Sequence, residues 1–321
     1  MNSTKKSKKN VLFKSYGSEK EGFGHISRCI SLRKTLPDDW SGVFVVNINK
    51  FLEKFLLKFD IEFTYDFPEQ DIDIIIIDQW KKENGLTKKL KKIYNCPIVR
   101  LDYYNYENPN VDTIINIFNH SNENPLQSQI INYYEGLKYA IIAPKFYNYQ
   151  NKLKPVESID RVLIIMGGAD PGLKTCEALD FFSKCSKILH IDIIIGPLSP
   201  FEDKIRKKAM QSPHYIKVYK NPSELPQIMA NAHLAISGCG TTFFELSFMG
   251  IPAILMAQNQ KENRFCEFLE KQKLCCFAKN DLTSAWKTMN DIDMRKKFIK
   301  RQLITFDGKG ILHIQKAIGI L

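Results

Sequence analysis

Short apolar, β-branched runs alternate with stretches of helical periodicity along the chain. In the first half the apolar runs fall at 11–14, 43–48, 61–65, 72–78, 98–102 and 114–118. Between them, residues 25–36, 51–59, 83–94 and 127–135 fit helices. The runs are short and rich in Val and Ile, which pack well on a pleated surface. Strands separated by helices of about 10–15 residues make βα units, and a sheet wound in this way is parallel and covered on both faces.

The alternation lapses at 144–160 (PKFYNYQNKLKPVESID), where Tyr, Asn, Lys and Pro dominate, a composition suited to an interdomain linker. It then resumes. Strands are expected at 161–166, 191–195, 216–219, 234–237, 253–256 and 275–278. Helices are expected at 174–185, 200–210, 224–230, 241–249 and 262–271, with one or two more from Leu282 onward. A chain of 321 residues is long enough for two cores. The expected fold class is therefore α/β, with two Rossmann-like domains (1–150 and 151–321) whose parallel sheets face a cleft. In such sheets ligands bind outside the carboxyl ends of the strands.

Composition narrows the class. Hydrophobic residues at 44% and charged residues at 25% belong to a folded protein. The longest apolar runs, Ile74 to Ile77 and Leu163 to Met166, are far shorter than the ~20 residues of a membrane helix, so no span is expected. The first ten residues carry four lysines and no apolar signal core, which points to the cytoplasm. Eight cysteines (29, 96, 176, 185, 239, 266, 275 and 276) contain no C-x-x-C pair, so reduced thiols are expected, with neither a disulfide framework nor a zinc site. No metal or other cofactor is indicated.

The net charge of +11 raises the question of a nucleic-acid partner. The lysines are dispersed over helix faces at 81–82, 88–92 and 204–208, with no RNA-binding motif or aromatic platform between them. They read as solvated faces, and no nucleic-acid partner is expected. Attraction to anionic substrates, or peripheral contact with an acidic membrane surface, stays compatible with the charge.

Three stretches carry candidate chemistry. Gly22-Phe23-Gly24-His25-Ile26-Ser27-Arg28 places a histidine where a strand passes through a glycine turn into a helix, with Arg28 one turn on. Met166-Gly167-Gly168-Ala169-Asp170 ends a buried strand in a tight turn that lets a ligand approach the backbone. Ser237-Gly238-Cys239-Gly240-Thr241-Thr242 runs from a strand straight into a helix, so N–H groups and two hydroxyls converge where a pyrophosphate can dock. Glu245 lies one turn further, placed to accept hydrogen bonds from ribose hydroxyls; Ser237 or Thr241 capping the helix is the plainer alternative. After the next strand, Gln258, Asn259 and Gln260 offer amides suited to sugar hydroxyl or N-acyl groups. In other settings such residues simply form turns.

The segments GFGHISR (22–28), GLKYAIIAPKF (136–146), RVLIIMGGADP (161–171), ISGCGTTFFELSFMGIPAILMAQNQ (236–260) and FDGKGILHI (306–314) occur in an order and spacing that resembles a known family. This is the UDP-sugar hydrolase of the pseudaminic-acid pathway, with its relatives among spore-coat-polysaccharide proteins, on the MurG-like branch of the GT-B glycosyltransferases. The resemblance implies UDP on the C-terminal domain, its phosphates at Gly168, Gly238, Cys239, Gly240, Thr241 and Thr242, and its ribose at Glu245. It implies that His25 activates water to attack the anomeric carbon, with inversion. Gly24, Arg28, Asp78, Trp80, Asn259 and Gln260 are the expected sugar contacts. The last helix is expected to pack back on the N-terminal domain, and the implied settings are surface-polysaccharide synthesis and flagellin glycosylation.

Three N-terminal segments depart from the family pattern. Lys14-Ser15-Tyr16-Gly17 replaces Arg-x-Asp-Gly, Asp78-Gln79-Trp80-Lys81 replaces Asp-His-Tyr-Gly, and Asp102-Tyr103-Tyr104-Asn105 replaces Asp-Asp-Leu-Ala. They fall on the acceptor side and keep open a glycosyltransferase with an acceptor other than water, or a nucleotide-sugar-binding relative without catalysis.

Overall fold

The computed structural model describes residues 8–17, 23–79, 83–102, 110–118, 132–150, 155–279 and 281–321. They form two compact units. One comprises the opening strand, Phe23–Ile141 and Lys309–Leu321, and the other is Ile142–Gly308.

In the first unit the order is β1 (Lys9–Ser15), α1 (Gly24–Arg33), β2 (Trp40–Val45), α2 (Lys50–Lys58), β3 (Phe63–Thr64), β4 (Ile74–Asp78), α3 (Leu86–Tyr94), β5 (Ile98–Leu101), β6 (Thr113–Asn116) and β7 (Asn132–Glu135). All strands pair in parallel in the order β3-β2-β1-β4-β5-β6-β7. The four isoleucines of β4 are buried, each stabilising the fold by about 1.5–3 kcal/mol. The chain order reverses between β1 and β4, where Ser15 pairs with Asp78. That junction is the switch point at which doubly wound sheets hold ligands.

The second unit repeats the plan. It contains β8 (Arg161–Ile165), α4 (Lys174–Phe182), β9 (His190–Ile195), α5 (Glu202–Met210), β10 (Tyr215–Lys220), α6 (Leu225–Met229), β11 (Leu234–Ser237), α7 (Thr241–Met249), β12 (Ala253–Leu255), α8 (Gln260–Lys271), β13 (Cys276–Phe277), α9 (Leu282–Asn290) and α10 (Ile292–Thr305). Its parallel sheet is ordered β10-β9-β8-β11-β12-β13, so the switch point lies between β8 and β11. The final helix α11 (Gly310–Ala317) belongs to the first unit, where Gly310 lies so near the Ala140 carbonyl that a Cβ would sit 1.9 Å from its oxygen.

Three expectations need correction. The helix at 127–135 is not formed at its described end: Asn132-Tyr133-Tyr134-Glu135 is an edge strand beside β6, favoured by two tyrosines, with the Tyr133 hydroxyl accepting from Asn116 Nδ2 at 2.8 Å. Residues 144–160 are not wholly irregular, because Pro144–Tyr149 forms a 3-10 helix anchored by the fully buried Phe146. From Leu282 onward there are three helices, since Asp291 ends α9 and caps α10 by accepting from Asp293 N and Met294 N.

Candidate functional site

At the switch point of the first sheet, the first turn of α1 brings His25 to the end of β4. His25 Nδ1 lies 2.6 Å from Asp78 Oδ1. Asp78 is fully buried and Arg28 is 4% exposed, while the His25 side chain keeps 16% of its surface in solvent. Burial opposes ionisation of Asp78, but Arg28 and His25 outweigh it and hold the carboxyl below its ordinary range. With the carboxylate ionised, so short a contact needs the proton on Nδ1. Arg28 Nη2 also comes within 3.0 Å of Nδ1, but the shorter carboxylate contact requires the Nδ1–H form, which leaves Nε2 with the lone pair in the neutral ring.

Arg28 completes the arrangement from one turn along the helix. Its Nε and Nη2 donate to Asp78 Oδ2 and Oδ1 at 3.0 and 2.7 Å. Its Nη1 meets Asp102 Oδ2 at 2.6 Å, and the guanidinium lies over the Phe118 ring with its carbon 5.1 Å from the ring centre. Asp102 stands at the carboxyl end of β5 with φ at 63° and is fixed by Ile117 N–H donating to its Oδ1 at 3.1 Å. Arg28 and Asp78, expected to contact the sugar, are paired with each other beside His25.

Other expected residues of this unit fall as follows. Gly24 opens α1 with nothing within 4 Å of a Cβ built on it. Lys14 pairs with Glu83 at 3.5 Å, Gln79 Nε2 donates to Glu83 Oε1 at 3.0 Å, and Arg100 Nη2 donates to the Gln79 carbonyl at 2.9 Å. Gly22, Trp80 and Tyr103 lie outside the described residues. The residue that sequence reasoning left off the site is Asp102. Its signal was available: the adjacent strands β4 and β5 each lead into an aspartate, Asp78 and Asp102.

At the switch point of the second sheet, β8 leads into Gly167-Gly168 and the neighbouring β11 into Gly238-Cys239-Gly240. Gly167 has φ at 80°, and Gly196 must lack a side chain because a Cβ there would come within 2.2 Å of the Gly167 oxygen. Gly238 passes close to Met166, whose oxygen would be 3.2 Å from an added Cβ. Gly240 is different: its φ is −135° and nothing lies within 4 Å of a built Cβ, so the fold itself makes no demand for glycine there. No side chain caps α7, and Ser237 Oγ donates to its neighbour's carbonyl, Gly238 O, at 3.0 Å. The plainer reading of Ser237 or Thr241 as the helix cap is therefore not what forms.

Half-buried Thr241 and Thr242 open α7, followed by Glu245. Burial pushes the Glu245 carboxyl up to about 7, against a smaller downward pull from Lys145. Cys239 is buried, and burial with the nearby Cys266 and Cys275 thiols raises it well above the ordinary thiol range. It is a packing residue, not a nucleophile.

The amides after β12 are largely committed to structure. Gln258 Oε1 accepts from Gly172 N at 2.8 Å and its Nε2 donates to the Met166 carbonyl at 3.1 Å, tying the loops after β8 and β12 together. Asn259 caps α8, its Oδ1 accepting from Glu262 N at 3.0 Å and its Nδ2 donating to Glu262 Oε1 at 3.2 Å. Gln260 is exposed on the first turn. A cavity of about 340 Å³ lies at the amino-terminal ends of β8, β11 and β12, among Arg161, His233, Pro252 and Arg295, away from the glycine loops. Among the described residues no cluster of His, Cys, Asp or Glu is placed to hold a metal ion, and no helix is long and apolar enough to cross a membrane.

Comparison with known proteins agrees with this architecture. No family model matches the chain. It is 27% identical over 213 residues to the uncharacterized protein MJ1062 of Methanocaldococcus jannaschii, covering 62% of this chain and 43% of that one. It is 22% identical over 191 residues to the spore coat polysaccharide biosynthesis protein SpsG of Bacillus subtilis, covering 58% and 56%. The chain thus spans about half the length of these curated relatives. Among solved structures, MurG of Acinetobacter baumannii aligns with a TM-score of 0.63 at 12% identity, over 98% of this chain and 100% of that one. Anabaena HepE in complex with UDP-glucose aligns at 0.60 and 13%, over 97% and 98%. Two Rossmann-like units with parallel sheets and these structural neighbours define a GT-B-like α/β fold.

Proposed function

We propose that the protein is an enzyme acting on a nucleotide-linked sugar, hydrolysing a UDP-linked diacetamido-trideoxyhexose at its anomeric carbon and releasing UDP, as nonulosonic (pseudaminic) acid synthesis requires. The observation that carries the proposal is the His25–Asp78 pair at 2.6 Å. It prepares Nε2 to take a proton while the carboxylate steadies the imidazolium that results. In the step, a water oxygen bonds to the anomeric carbon as the bond from that carbon to the β-phosphate oxygen breaks. The water proton passes to Nε2, the bond electrons leave with UDP, and attack from the far side inverts the centre. Backbone N–H groups at Gly238 to Thr242 and the uncapped start of α7 are suited to the pyrophosphate charge, and Glu245 to the ribose. The likeness to SpsG and to a fold that holds UDP-glucose in HepE supports the nucleotide-sugar part of this reading.

A second reading replaces water by the hydroxyl of an acceptor, with the same base. The departures at Lys14, Tyr16, Gln79, Trp80 and Tyr103 favour it, because they lie on the unit that carries His25. Release of UDP from a panel of UDP-sugars, with and without candidate acceptors, separates the two.

A further inference from the structure

We infer that Asp102, acting through Arg28, sets how readily the His25–Asp78 pair takes up a proton, a positioning role that rests on the reading of His25 as a base. Four ionisable side chains meet here, two from α1 and one each from the ends of β4 and β5. Asp78 and Asp102 are 0% and 1% exposed and Arg28 is 4% exposed, so water screens their charges poorly. The Cys29 thiol, 4.0 Å from Asp78 Oδ2, is held protonated by its burial and adds no charge.

Two carboxylates and one guanidinium meet the imidazole; the next charged groups are the buried Arg100, whose Nη2 donates to the Gln79 carbonyl at 2.9 Å, and the Lys14–Glu83 pair at 3.5 Å. Each carboxylate of the cluster favours a proton on His25, and the Arg28 guanidinium opposes it. Asp102 is placed by its backbone, at φ 63°, and by Ile117 N–H donating to Oδ1, and its Oδ2 lies 2.6 Å from Arg28 Nη1. Arg28 carries the effect onward, since its remaining nitrogens grip both oxygens of Asp78.

Removing the two charges has opposite consequences. With Asp102 neutral, one negative charge that favours the imidazolium is gone, so uptake shifts to lower pH. With Arg28 neutral, two carboxylates face the imidazole and uptake shifts to higher pH. A simple packing defect would not divide the variants in this way.

The test follows the His25 ring by NMR through a pH titration in the full chain, for wild type, Asp102→Asn and Arg28→Gln, with thermal melts to show that each is folded. The midpoint is expected to fall in Asp102→Asn and to rise in Arg28→Gln. Turnover of Asp102→Asn at neutral pH is expected to drop about tenfold with little change in KM. Asp102→Asn keeps its shape and the acceptor for Ile117 N–H, so an unmoved or raised midpoint in this variant overturns the inference even if Arg28→Gln does not fold. Midpoints that part as expected in a protein releasing no UDP leave the inference standing and bring down the reaction proposed above.

Discussion

His25 and Asp78 meet across the first sheet's switch point at 2.6 Å, one from the first turn of α1 and the other from the last residue of β4. The pairing fixes which ring nitrogen carries the proton. Asp78→Asn puts an amide N–H where the carboxylate stood, so Nδ1 becomes the acceptor and Nε2 loses its lone pair. Activity is expected to fall about 10²- to 10⁴-fold, the range that a positioned base contributes. The melting temperature should also drop, because Arg28 keeps only Asp102 as a counter-charge and loses about 1–3 kcal/mol of charge-assisted bonding. Turnover and a thermal melt of the same variant check both.

Gly240→Ala distinguishes a glycine kept for folding from one kept for a ligand. The built Cβ meets nothing within 4 Å and φ is ordinary, so stability should be unchanged or slightly raised. A phosphate resting against this backbone leaves no room for the methyl group, and UDP affinity is expected to weaken at least about tenfold. Equal affinity in calorimetry would remove the glycine loop from the nucleotide site.

Glu245 gives a pH signature. Its carboxyl titrates at about 7 in the folded chain. Ribose hydroxyls donate to the carboxylate, so binding favours the ionised form, and UDP affinity should rise with pH through 7 and level off above it. Glu245→Gln removes this component, and the ratio of wild-type to variant affinity isolates it from the titration of UDP itself. The stability effect has the opposite sense: the folded state holds this proton more tightly than the unfolded chain, so stability declines as pH rises from the ordinary carboxylate range through 7. Glu245→Gln should flatten that decline in pH-dependent melts.

Asn259→Ala tests whether this amide serves structure. It caps α8 through Glu262 N, and removal should cost about 1 kcal/mol of stability, read as a lower denaturant midpoint. A loss of sugar affinity with no change in stability would make Asn259 a ligand contact.

Much of this was legible in the sequence because it rests on local rules. The isoleucine run of β4, the strand-to-helix passage at Ser237 to Thr242 and the helix stop at Gly250, which takes φ at 78°, all declare themselves within a few residues. The capping signature Asn259-x-x-Glu262 was equally visible, and the amide reading passed over it. Strand β7 was not legible, since an edge strand of Asn, Tyr, Tyr and Glu has no alternating apolar pattern. The Arg28–Asp78–Asp102 cluster was hidden for a deeper reason. Charged residues are ordinarily exposed, and only the adjacency of β4 and β5, with α1 at their ends, shows that these three pair with one another in the interior.

The central claim, that His25 is the base in UDP release from a nucleotide-linked sugar, is tested most directly by incubating the purified chain with a panel of UDP-sugars and quantifying UDP. The account predicts UDP release in water alone for at least one diacetamido-trideoxyhexose donor. It predicts that His25→Ala reduces that release by about 10²-fold or more while UDP binding is retained. Release that needs an added acceptor would replace hydrolysis by transfer, and undiminished release in His25→Ala would contradict the assignment of the base.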